Sequence, residues 1–131
     1  MLKPGLSQEI TFSVEPALTA KAVGSGTLEV LATPVMIAKM ELAAWSAVAD
    51  ELPEGSSTVG TRMDIQHLSP TPLGMAVTCS AELTLVDNRR LVFRVSARDE
   101  IGVIGEGIHE RAVIQTDRFL AKAQAKAEPN R

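Results

Sequence analysis

Three side chains in the first half of the sequence have the chemistry of a hydrolytic set: the hydroxyl of Thr33, the carboxylate of Glu41 and the imidazole of His67. A carboxylate or imidazole held against a hydroxyl or a water supplies both a base and a nucleophile. Each residue also has an ordinary explanation. Glu41 can reach solvent at a rim, His67 can be a core histidine satisfied by a carbonyl, and Thr33 can be a helix cap. Their positions argue for more. Counting about 100° per residue from Thr33, Lys39, Ser46 and Asp50 fall at about 240°, 220° and 260°, while Glu41 falls at about 80° beside Ile37, Ala44 and Val48. The sequence thus puts a carboxylate on the apolar side of a helix, where burial without a partner costs several kcal/mol. His67 continues the parity of Val59, Met63 and Ile65, the strand face that turns toward that helix. A buried carboxylate needs a donor and an imidazole supplies one, so the two are expected to face each other.

Further residues surround this set. Gly60 lies on the face opposite Val59, where its lack of a side chain serves either a bulge or the approach of a ligand to the backbone. Arg111, in the run His109-Glu110-Arg111, can pair with the neighbours of Glu110 or take a phosphate. Cys79 stands among apolar residues with no cation beside it, which makes it an inert core thiol. One cysteine and two histidines do not build a Cys/His zinc site, and no metal is expected.

The elements that must hold these residues are legible from periodicity. Residues 6–14 alternate, with Leu6, Ile10, Phe12 and Val14 on one face. A short helical turn is expected over 17–23, followed by a Gly/Ser loop. Thr33-Pro34 opens a helix running to Ala49, with Thr33 as the expected N-cap and Pro34 at its first turn. Four alternating runs follow, at 58–68, 75–86, 90–98 and 103–114, with Met75 to Leu85 and Leu91 to Ala97 facing inward at every second residue. Asp87-Asn88-Arg89 makes a hairpin turn. A last helix is predicted over 117–127, capped by Thr116, with 124–131 fraying. One long helix against five strands predicts an α+β fold, a single antiparallel sheet packed on that helix.

With 131 residues, the chain is read as one domain, residues 1–131. A net charge of −3 and 3% aromatic residues, with no tyrosine, argue against a nucleic-acid footprint. No apolar stretch approaches the ~18 residues of a membrane span, and the first residues lack the apolar core of a signal peptide. A single cysteine suits a reducing compartment. The expectation is a cytoplasmic protein with no membrane partner.

The motifs, taken in order, have a family likeness. Leu31-Ala32-Thr33-Pro34 with Glu41 eight residues on, then Val59-Gly60-Thr61, His67-Leu68-Ser69-Pro70-Thr71-Pro72-Leu73-Gly74-Met75, Arg89 to Val95, Ile104-Gly105-Glu106-Gly107 and His109-Glu110-Arg111 together resemble the fluoroacetyl-CoA thioesterase-like branch of the hot-dog-fold thioesterases. The resemblance spans roughly Lys3 to Ala123. It implies a curved antiparallel sheet wrapped around a long helix and a homodimer joined edge to edge, with a tetramer as a further possibility. It also implies Thr33, Glu41 and His67 as the catalytic set, and substrate-side roles for Gly60 and Arg111. No cofactor is implied beyond the coenzyme A of the substrate. One departure concerns specificity. The characterised branch member carries phenylalanines as a lid before the catalytic threonine, whereas this sequence reads Val23-Gly24-Ser25-Gly26-Thr27-Leu28 and has no Phe between Phe12 and Phe93.

The leading reading is therefore hydrolysis of a short or medium acyl-CoA thioester. Two others compete. A non-catalytic hot-dog protein would hold an acyl thioester or another small ligand without turnover, yet none of the three residues has been lost. An enoyl-thioester hydratase or dehydratase usually carries its histidine on or near the long helix, and here no histidine precedes His67.

Overall fold

The computed structural model describes residues 1–129 of the chain. Its elements are β1 (Ser7–Ser13), α1 (Ala20–Val23), α2 (Thr33–Val48), β2 (Ser56–His67), β3 (Ala76–Asp87), β4 (Arg90–Asp99), β5 (Val103–Gln115) and α3 (Thr116–Ala125), with 3-10 turns at Pro16–Leu18 and Ala49–Glu51. All strands pair antiparallel in one sheet of order β1-β3-β4-β5-β2, and α2 packs on its inner face. This is the hot-dog arrangement that the resemblance implies. The last four strands are not a simple hairpin succession, however. β2 pairs with β5, so the chain crosses from one side of the sheet to the other between β2 and β3. That leaves β1 and β2 as the two edges.

The core is apolar and continuous. Met36, Met40, Ala43, Ala44 and Val48 of α2 meet Val77, Cys79, Ala81 and Leu83 of β3, and Leu91, Phe93, Val95 and Ala97 of β4. Phe93 and Leu91 are fully covered, and burial of a side chain of that size is worth about 1.5–3 kcal/mol. The two strands' inward alternation breaks at a single place. The β3–β4 register shifts between Leu83 and Leu85, so Leu85 turns outward and Val86 packs on the core instead.

The exposed stripe of α2 is not the one its polar residues mark. Lys39 lies half-buried with its ammonium 5.1 Å from the centre of the Phe12 ring, because β1 curls around that side of the helix. Ser46 bonds back to the carbonyl of Leu42. The uncovered side carries Ala38 and Trp45, the indole being 45% exposed. The helix lies mainly under β1 and β3 and makes little contact with β2, so this apolar side is next to Glu41 and on the β2 side of the molecule.

Both helix starts differ from expectation. Ala32 is the N-cap of α2, Thr33 is its first residue and no side chain caps it. Gln115, not Thr116, precedes α3, again without a side-chain cap. In the expected fraying tail, Gln124 and Ala125 are still helical; 126–129 are turns or irregular, and 130–131 lie outside the described residues.

Cys79 sits in the core with its thiol 3.8 Å from the Met36 carbonyl, and burial pushes its pKa up to about 12. It is expected to ignore a thiol reagent in the native state and to react at the rate of unfolding. Fast stoichiometric labelling of folded protein would contradict this packing.

Candidate active site

The chain entering α2 is tied to the chain leaving β2. Leu31 N–H donates to the Thr71 carbonyl at 2.9 Å, Val30 bridges Pro72, and the buried Thr71 hydroxyl donates to Asp99 Oδ2 at 2.9 Å. This places the first residue of α2 beside the last residue of β2. The Thr33 hydroxyl lies 2.7 Å from His67 Nδ1, which is where its oxygen goes instead of capping the helix. Burial lowers the pKa of His67, and the Ser69 backbone opposes this in part. In the tautomer in which the neutral imidazole accepts the Thr33 proton at Nδ1, its own hydrogen stands on Nε2. That Nε2 is covered and has no hydrogen-bond partner among the described residues.

Glu41 is elsewhere. It stands eight residues along the same helix from Thr33, about 12 Å at 1.5 Å per residue. The expected facing of Glu41 and His67 does not occur within the chain. Glu41 Oε2 accepts instead from Arg111 NH1 at 3.2 Å and lies 4.0 Å from His109 Nε2. Parity put His67 on the right face but said nothing of its distance from Glu41, and nearer the start of β2 it failed at a bulge. The β2–β5 register shifts between Gly60 and Arg62. Beyond the shift Met63, Ile65 and His67 turn inward as expected, but before it the inward residues are Thr58 and Gly60, not Val59. The buried Thr58 and the atoms facing Gly60 show this.

Of its two expected roles Gly60 takes the bulge, and the space left by its missing side chain lies beside Glu41. A Cβ there would lie 2.5 Å from Glu41 Oε2, 3.3 Å from His109 Cε1 and 3.4 Å from Arg111 NH1. Any side chain would displace the carboxylate.

Arg111, paired across the sheet with Gly60, is a buried cation with every group engaged. Its Nε donates to Thr58 Oγ1 at 2.8 Å, NH2 to the Thr58 carbonyl at 2.9 Å, and NH1 to Glu41 and to His109 Nε2, each at 3.2 Å. Burial lowers its pKa and the Glu41 charge works against that. His109 is fully buried, stacks on Phe93 and donates from Nδ1 to the Arg62 carbonyl at 2.8 Å, leaving Nε2 as the acceptor for Arg111. Burial lowers its pKa, as does the neighbouring guanidinium, with the Arg62 carbonyl opposing. Thr58 and His109 were not assigned a role from sequence. The signal was present: His109 and Arg111 are two apart on one strand and must share a face.

The chain thus holds two half-sites, a hydroxyl–imidazole pair at one end of β2 and a carboxylate–guanidinium pair toward the other. A cavity of ≈270 Å³ opens beside the first, lined by Thr33 and His67 together with Ala20, Ser25 and Leu31. No histidine lies on α2. Among the described residues no group of three or more His, Cys, Asp or Glu could hold a metal ion, and no helix is long and apolar enough to cross a membrane.

Known proteins share both the sequence and this architecture. The family model for fluoroacetyl-CoA-specific thioesterases matches residues 14–117. The fluoroacetyl-CoA thioesterase of Streptantibioticus cattleyicolor is 46% identical over 98 residues, 75% of this chain and 70% of that protein. A solved fluoroacetyl-CoA thioesterase structure superposes with a TM-score of 0.91 at 38% identity, covering 96% of this chain and 98% of its own. A thioesterase superfamily member from Thermus thermophilus superposes with a TM-score of 0.86 at 27% identity, covering 98% of both chains. A glutamate pinned by a buried arginine, a threonine held on a histidine, and this likeness over most of the chain lead to one assignment: the chain belongs to the fluoroacetyl-CoA-specific thioesterase family of hot-dog-fold proteins.

Proposed function

We propose that the protein hydrolyses a short or medium acyl-CoA thioester at sites shared by two subunits, with Glu41 of one facing Thr33 and His67 of the other. Family membership supports thioester hydrolysis as the activity. The observation that supports a shared site is the Nε2 of His67, covered and without a hydrogen-bond partner among the described residues, in a chain whose Glu41 lies about 12 Å along a rigid helix from Thr33, the residue that holds His67.

The edge strand β2 offers the means of joining the halves. Gly60 and His67 are seven residues apart on it, about 23 Å at 3.3 Å per residue. If two copies of β2 pair antiparallel about a two-fold axis between Met63 and Asp64, His67 comes opposite Gly60 of the partner subunit, beside the partner's Glu41 and Arg111. The same contact pairs an otherwise open sheet edge and covers the exposed side of α2 at Ala38 and Trp45. A symmetric interface of this kind builds two equal sites.

In such a site each residue has a role set by its contacts. Thr33 fixes the His67 tautomer. Nε2–H then donates to the Glu41 carboxylate and orients it. Arg111 holds the other side of the same carboxylate, and Gly60, by lacking a side chain, leaves the space in which that carboxylate lies. The carboxylate takes a proton from water as the water oxygen bonds to the thioester carbon. The oxyanion that forms is stabilised by the adjacent donors. Collapse breaks the carbon–sulfur bond, and the proton held by Glu41 passes to the thiolate.

Release of free thiol from a panel of acyl-CoAs tests the activity, and two variants test the roles. Glu41→Gln removes the base and is expected to lower kcat at least ~100-fold. Wild-type turnover in this variant would leave Glu41 a rim carboxylate only. The pH dependence follows from His67. Burial lowers its pKa, while the Ser69 backbone and, in the proposed site, the facing Glu41 carboxylate oppose this, and the neutral form is lost as the pH falls through the pKa that results. kcat should therefore rise with pH along an acid limb and then level off, and His67→Ala should abolish that limb as well as slow the reaction. A limb that survives in His67→Ala would assign it to another group, with His109 the first to test.

The cavity beside Thr33 and His67 is lined in part by small side chains such as Ala20 and Ser25, and among the described residues no Phe, Tyr or Trp lines it. Fluoroacetyl-CoA is therefore expected to exceed acetyl-CoA in kcat/KM by less than ~100-fold, the scale of one small group in a pocket. A preference of several orders of magnitude would show that residues 23–32 build a gate of another kind.

A further inference from the structure

We propose that Asp99 is a positioning residue for the hydroxyl–imidazole half-site, acting through Thr71, an inference that rests on the thioesterase reading. Asp99 ends β4, and both of its carboxylate oxygens are engaged. Oδ1 accepts the backbone N–H of Ile101 at 2.8 Å and that of Gly102 at 3.1 Å, while the Asp99 N–H donates to the Gly102 carbonyl at 2.9 Å. These bonds close the β4–β5 turn around the carboxylate. Oδ2 reaches out of the turn and accepts the Thr71 hydroxyl at 2.9 Å. Thr71 is fully buried in the connection 68–75 between β2 and β3. A buried hydroxyl needs a partner, and a charged acceptor binds it more strongly than a neutral one. Glu100 of the same turn adds a second tie, its Oε2 accepting the Ala76 N–H at 2.9 Å where the connection enters β3.

Thr71 is where the two segments that deliver the half-site meet. Its carbonyl accepts the Leu31 N–H at 2.9 Å, and Leu31 stands two residues before Thr33. Thr71 itself stands four residues after His67. Between them the Leu68 and Ser69 N–H groups both donate to the Ile104 carbonyl, at 2.6 and 3.3 Å, and the Ser69 backbone stands against the imidazole. Thr33 is exposed, and its hydroxyl caps no helix. Its 2.7 Å bond to His67 Nδ1 therefore depends on how the chain at Leu31 is set against the chain at Thr71. Asp99 is the charged group that fixes the second of these. The turn it organises belongs to β4 and β5, the rigid middle of the sheet, so the carboxylate transfers the placement of the sheet to a pair held on two chain ends. A displacement of about 1 Å at such a pair is enough to lower turnover.

The test is a double-mutant cycle on the acyl-CoA that turns over fastest. Thr71→Val keeps the shape of the threonine and removes its hydroxyl. Asp99→Asn keeps an oxygen for the two turn N–H groups, so the fold is retained, and removes the charged acceptor. Each variant should lower kcat ~10-fold with little change in KM, and Thr71→Ser, which restores the hydroxyl, should recover most of the loss. In a Thr33→Ala background neither variant should lower kcat further, because the bond that they position is already gone. Equal fold-losses in both backgrounds would show a merely structural effect and overturn the proposal, as would wild-type kcat in Thr71→Val and Asp99→Asn. The ring ¹⁵N shifts of His67 give a readout independent of turnover. Both variants should move them toward the values of Thr33→Ala, and unchanged shifts overturn the proposal. If the wild-type protein turns over no acyl-CoA, the thioesterase reading fails, and the ring shifts alone decide whether Asp99 positions the pair.

Discussion

Thr33 and Glu41 ride on one rigid helix, and the helix rise sets them about 12 Å apart. No rotamer of either side chain closes that gap. In the proposed site the chemistry that the two residues imply is completed by a second subunit. Much of the structure is arranged consistently with this constraint. β2 is a free edge that carries one half-site near each end. α2 is displaced toward β1 and β3, which leaves its Glu41 side uncovered. His67 presents a covered nitrogen with no hydrogen-bond partner among the described residues. In the proposed dimer these three features are resolved by one two-fold contact.

The carboxylate end of the site is built around a buried charge. A guanidinium in this position would cost several kcal/mol if unpaired. Thr58, His109 and Glu41 share its hydrogens, and the Arg62 carbonyl fixes which His109 nitrogen is the acceptor. The network aims Glu41 without neutralising it by a short bidentate contact, since only NH1 reaches Oε2. Gly60 is part of the same design: its missing side chain is the space in which the carboxylate lies.

The sequence revealed most of the scaffold and singled out Thr33, Glu41, Gly60, His67 and Arg111, which the structure gathers into two clusters, but not which of them stand together. Period-two patterns located every strand, and Thr33-Pro34 located the start of α2. Pattern alone does not see a bulge. One extra residue near Thr61 reverses which of Val59 and Thr58 faces inward, and another near Thr84 does the same for Leu85 and Val86. The same blindness put His67 opposite Glu41, since parity says which face a residue takes but not how far along it lies. The wet stripe of α2 was misplaced because covering depends on where β1 curls, a tertiary fact. His109 was legible in principle from its spacing to Arg111, and its role became clear only when the guanidinium's partners were in view.

Subunit complementation tests the shared site most directly. Glu41→Gln and His67→Ala homodimers, each inactive alone, are mixed under conditions that exchange subunits. A mixed dimer then contains one site with both defects and one site with neither. The shared-site account predicts recovery to about a quarter of wild-type activity, because half of the randomly exchanged dimers are mixed and each has one intact site. No recovery, with exchange confirmed by mass, would place Glu41 and His67 of each site in the same chain and contradict the account.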